Sequence, residues 1–233
     1  MHKKTLKMFG LMIAAVILTA GCTVGSEEVT YESQHPVLIG LAYDISGSTN
    51  SNGVPVVTIA HVDSLVDLIK SYGGTLAVAF IDDKGFDRLE RLALDPVKGR
   101  LDERARLNAK QQDSVTVFRQ RVSGLLSRPR NARDTDINGV IGRLTLFLEE
   151  PRVPANASRL VIFLSDGIDT VSSKKVKGIA LPSNTTVIAI GMKKELALKL
   201  FGKKVLLFES VDAAIQAVPT FLNIEITSYG GKP

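Results

Sequence analysis

Between residues 37 and 222, short apolar runs alternate with amphipathic stretches. VLIGLAY (37–43), TLAVAFI (75–81), RLVIFLS (159–165), TTVIAIGM (185–192) and KVLLFES (204–210) are rich in aliphatic residues. Short continuous apolar runs of this kind predict strands buried on both faces. DRLERLAL (87–94) is weaker and reads as an edge strand. The stretch 56–74 places Ile59, Val62, Val66 and Ile69 at helical spacing, with Pro55 before it and Gly73-Gly74 ending it. A long helix over 102–126 presents Val115, Phe118, Val122 and Leu125 on one face. Further helices are predicted over 137–150, 193–202 and 211–222. This alternation implies an α/β fold, a mostly parallel sheet of six strands with helices on both faces. In such doubly wound folds ligands bind beyond the carboxyl ends of the strands, where the strand order reverses.

Ahead of this pattern the chain is different. MHKKTLK is basic, Met8 to Leu18 is apolar, and Thr19 to Cys22 reads TAGC. A basic start, a short apolar core and small residues before a cut site predict an export signal over residues 1–21, too short to cross a membrane comfortably. LTAGC resembles a bacterial lipobox, although Thr19 stands where an aliphatic residue is usual. The resemblance implies lipidation of Cys22, a tether over 22–36 and attachment to a membrane of the cell envelope, on its extracytoplasmic side. Thr23 is not the aspartate associated with inner-membrane retention, which points to the outer membrane in a Gram-negative host. The folded domain is expected over 37–223, with a tail over 224–233.

Charge narrows the partners. The chain carries +5, and removal of Lys3, Lys4 and Lys7 with the leader leaves +2. The basic balance therefore belongs largely to the leader and argues little for nucleic acid. Residues 98–133 hold ten Lys or Arg and three acids. They read as a solvated helix face and loop, and no aromatics are interleaved for base stacking. Cys22 is the single cysteine, so the exported fold stands without disulfides.

Candidate chemistry gathers at the strand ends. The first strand runs into DISGS, with Asp44, Ser46 and Ser48 on alternate residues. RDTDI, with Asp134, Thr135 and Asp136, precedes the helix at 137, and RLVIFLS runs into SDG with Asp166. Carboxylates and hydroxyls are hard oxygen donors, suited to Mg²⁺ or Mn²⁺ rather than zinc or copper. Each cluster also has an ordinary explanation in turn or capping chemistry: Asp134, Thr135 or Asp136 can each cap the helix. Asp169 reads as a loop residue, and Asn138 is unusual so early in a helix.

DISGS, TD and SDG in this order on an alternating frame resemble the von Willebrand factor type A domain and its metal-ion-dependent adhesion site, D-x-S-x-S with a distant Thr and Asp. The resemblance spans about residues 37–223. It implies a Rossmann-like sheet with one short antiparallel edge strand and the DISGS strand beside the SDG strand. It also implies Ser46 and Ser48 as direct ligands of Mg²⁺ or Mn²⁺, Thr135 as a direct or water-mediated one, and Asp44 and Asp166 acting through water and hydrogen bonds. A protein partner would supply an Asp or Glu to the open metal position, with no bond broken. A metal-assisted hydrolase has less support: after the leader only His35 and His61 remain, outside any recognisable nucleophile–base arrangement, and neither G-x-S-x-G nor a phosphate loop is present. A metal-independent assembly factor of an envelope complex is the other alternative.

Overall fold

The computed structural model describes residues 36–82, 89–96, 101–151, 153, 155–171, 180–202 and 204–222. The predicted leader, Cys22, nearly all of the tether and the C-terminal tail lie outside the described residues. Six strands form one sheet: β1 (Val37–Asp44), β2 (Gly74–Ile81), β3 (Glu90–Leu94), β4 (Ser158–Leu164), β5 (Thr185–Ile190) and β6 (Val205–Phe208). Their order is β3-β2-β1-β4-β5-β6, parallel throughout except for the antiparallel edge pair β2–β3. This is the doubly wound, Rossmann-like arrangement expected, and the order reverses between β1 and β4.

Side-chain alternation along β1 splits the core in two. Val37, Ile39, Leu41 and Tyr43 face one layer. It is completed by α2 (Ile59–Tyr72), α3 (Leu101–Leu126) and α6 (Val211–Phe221). Leu38 and Ala42 face the other, against α4 (Ile137–Leu148) and α5 (Lys194–Phe201). A strand covered on both faces has no polar side to show, which is why 37–44 reads as a continuous apolar run. Gly40 lets α4 close in: a Cβ there would stand 2.9 Å from Leu144 Cδ2.

Two predicted elements differ from those observed. Helix α2 begins at Ile59 rather than 56, because Thr58 takes the N-cap position and forms a capping box with His61. A short helix, α1 (Gly47–Ser51), occupies part of what reads in sequence as a polar loop. Among the described residues no helix is long and apolar enough to cross a membrane.

Candidate metal centre

Strand β1 ends at Asp44, and the chain turns directly into α1 with Ser46 as its N-cap. That turn gathers the alternate residues of DISGS. Ser46 Oγ and Ser48 Oγ lie 3.1 Å apart and share a hydrogen bond. Asp44 lies beneath them, fully buried. Its Oδ1 accepts the Ser46 backbone N–H at 2.8 Å, and its Oδ2 accepts Ser165 Oγ–H at 2.6 Å. Thus the β4 end is tied to the β1 end through Asp44, across the point where strand order reverses.

Burial pushes the Asp44 carboxyl above the usual carboxylate range; hydrogen bonds from Ser165 and Ser46 oppose this, and the neighbouring Asp166 adds to it. Asp166 is buried too. Its Oδ2 accepts Asn52 Nδ2–H at 2.9 Å, and its Oδ1 accepts the Ile168 N–H at 3.0 Å. Gly167 follows with φ +81°, where a Cβ would meet Met192 Cγ at 2.9 Å, so the turn that presents Asp166 requires glycine.

Thr135 is 2% exposed. Its N–H donates to Thr170 Oγ1 at 2.7 Å, and its carbonyl accepts the Thr170 N–H at 3.0 Å, which fastens it to the loop after Asp166. It does not cap α4: Asp136 does, accepting the Gly139 N–H at 2.8 Å. The connection that carries Thr135 also reaches β1 and β2, through Ala132 N–H to Ile45 O at 3.1 Å and Asp136 N–H to Asp82 O at 3.3 Å. All five predicted site residues therefore stand at strand ends, in α1 or on neighbouring connections along one edge of the sheet. Asp44, Ser46 and Ser48 are in direct contact, whereas Asp166 and Thr135 are joined to that group through Asn52, Thr170 and Ala132.

Several contributors are missed by sequence reasoning. Thr49 and Asn52 lie in a stretch notable in sequence only for its polarity, and Ser165 looks like the last residue of a strand. Asp169 is more than a loop residue: its Oδ2 accepts both the Asn138 N–H at 3.3 Å and Asn138 Nδ2–H at 2.7 Å, which explains the Asn so early in α4. Arg130, from the stretch read as solvated, is only partly exposed and reaches Thr49 and Val54. The signal available for these was proximity to the motifs, except for Arg130, which had none.

The donor set fits a small hard cation. The candidate donors are neutral hydroxyls backed by the two carboxylates of Asp44 and Asp166; among the described residues no group of three or more His, Cys, Asp or Glu gathers. Two ligands on adjacent corners of an octahedron with bonds of about 2.1 Å stand about 3.0 Å apart, close to the 3.1 Å between the serine hydroxyls.

No family model and no curated protein matches the sequence. Among solved structures, proximal thread matrix protein 1 from the mussel byssus is 17% identical over 82% of this chain and 48% of that one, with a TM-score of 0.48. Manganese-loaded TRAP protein from Plasmodium vivax is 16% identical over 81% of this chain and 74% of that one, with a TM-score of 0.42. A von Willebrand factor type A protein from Catenulispora acidiphila is 13% identical over 82% of this chain and 42% of that one, with a TM-score of 0.41. The chain spans about half the length of the mussel protein.

Proposed function

We propose that this chain is an extracytoplasmic binding module, anchored to an envelope membrane through lipidated Cys22, that grips a protein partner through a divalent cation. The observation that carries the reading is the paired Ser46 and Ser48 hydroxyls above a buried, hydrogen-bonded Asp44 at the sheet's reversal point. Ser46 and Ser48 would hold Mg²⁺ or Mn²⁺ directly and Thr135 directly or through water, with Asp44 and Asp166 orienting them and supplying charge. Bound through neutral hydroxyls, the ion keeps much of its positive character and offers it to an Asp or Glu of the partner.

A non-enzymatic role is supported by the placement of the histidine. His61 Nδ1 accepts the Thr58 N–H at 3.0 Å and its Nε2 pairs with Asp212 at 3.1 Å. It is committed to helix ends rather than to activating Ser46 or Ser48. Calorimetric titration of the chain with Mg²⁺ and Mn²⁺ tests the reading, with Asp44→Ala as control. Saturable binding lost in the variant is expected; wild-type chain that binds neither ion would overturn it.

A further inference from the structure

We infer that Arg130 is a positioning residue that holds the Ser46–Ser48 pair at fixed separation and thereby sets the preference of this centre for Mg²⁺ over Ca²⁺. The inference rests on the metal-binding reading above.

Arg130 lies in the α3–α4 connection, five residues before Thr135. Its Nε donates to Thr49 Oγ1 at 2.9 Å, and its Nη1 to the Val54 carbonyl at 2.9 Å. Its carbonyl accepts Asn50 Nδ2–H at 2.9 Å, and its guanidinium lies over the Tyr43 ring, 5.6 Å from the centroid. Thr49 passes the restraint on, donating its hydroxyl to the Ser46 carbonyl at 2.6 Å. Thr49 directly follows Ser48 and is fully buried, so it has little room to adjust. One side chain therefore fixes the segment 46–54 near its start and at its end, on the same connection that supplies the third hydroxyl.

Only a guanidinium suits this task. Its planar fork serves two acceptors while its face stacks on a ring, whereas an ammonium is a single point donor. The arrangement is not the most stabilising one available. Arg130 Nη2 is buried with no partner among the described residues, and an unsatisfied buried donor is ordinarily costly. Departures of this kind from local optimality concentrate at functional sites.

Stiffness matters because the two cations differ in tolerance. Mg²⁺ demands near-ideal octahedral geometry with bonds of about 2.0–2.1 Å, while Ca²⁺ accepts irregular shells with bonds of about 2.3–2.6 Å. A hydroxyl pair held 3.1 Å apart matches the smaller ion. If freed to spread, the pair loses that match but still serves the larger ion.

The test is calorimetric titration of the full chain with MgCl₂ and separately with CaCl₂, for wild type, Arg130→Lys and Thr49→Val. Thr49→Val keeps the side-chain shape and removes only the hydroxyl link. It therefore remains informative where Arg130→Lys fails to fold, with circular dichroism monitoring each chain. Each variant is expected to lose about tenfold or more in Mg²⁺ affinity and less than about threefold in Ca²⁺ affinity. The double variant should do no worse than the poorer single one, because both act through one link. A general loosening of the fold would weaken both ions alike. Equal losses for the two ions, or unchanged Mg²⁺ affinity, overturn the inference. Wild-type chain that binds neither ion overturns the functional reading itself, a different and separately visible result.

Discussion

Asp44 carries an electrostatic conflict. It is fully buried and close to a second carboxylate, and its pKa is raised by burial first and by Asp166 in addition. A carboxyl whose pKa is raised on folding binds its proton more tightly in the folded chain. Acid therefore favours the fold at this position, and stability is lost as pH rises from the unfolded value through the raised folded one. Without a cation, ionising Asp44 costs more in the folded chain than in the unfolded one. Asp44→Asn removes the charge and keeps an acceptor for the Ser46 N–H. Without divalent ions it should be more stable than wild type at pH 7, and the advantage should shrink towards pH ~4. Denaturant midpoints across that range check this; a constant or growing difference would show that Asp44 is not the source. The same substitution should abolish cation binding at the proposed centre, which calorimetric titration checks.

At the scale of elements, the centre depends on how three connections begin and end. Helix α4 starts where Asp136 caps it, immediately after Thr135, so the cap determines where that hydroxyl sits. Asp134, two residues earlier, is exposed and accepts a hydroxyl bond from Thr170 at 3.2 Å. Asp136→Ala should cost about 1 kcal/mol through the lost cap, and Asp134→Ala distinctly less. Equilibrium urea unfolding distinguishes them, and equal costs would mean that the cap does not govern the start of α4. Helix α1 shows the same dependence. Its N-cap and second residue are the two serines, and it is too short to persist without the Thr49, Asn50 and Arg130 bonds that hold it.

At the scale of the whole molecule, a cation held by the proposed centre would link binding to folding. An ion that binds the native chain at a hundred times its dissociation constant stabilises it by about 2.7 kcal/mol. For a domain of this size that corresponds to a Tm rise of roughly 5–10 °C. Thermal melts in saturating MgCl₂ should show the rise, chelator should reverse it, and Ser46→Ala should not show it. An equal rise in Ser46→Ala would place the ion elsewhere.

The amino-acid sequence by itself determined the layers of this molecule. Continuous apolar runs and helical periodicity record burial on two faces and on one, and burial is a property of pattern. It also set hard donors just beyond strands or just before a helix, and among them the resemblance singled out Asp44, Ser46, Ser48, Thr135 and Asp166. What pattern does not encode is contact between residues far apart in the chain. Asp44 meeting Ser165, Asp169 holding Asn138, and Arg130 fastening Thr49 and Val54 each join separate connections at one sheet edge. The start of α2 and the existence of α1 were decided in the same way, by caps and side-chain bonds rather than periodicity. Arg130 is the clearest case. In sequence it is one cation among ten in a basic stretch. Only the packed structure, by placing Tyr43 beneath it and two acceptors at its fork, distinguishes it from its neighbours.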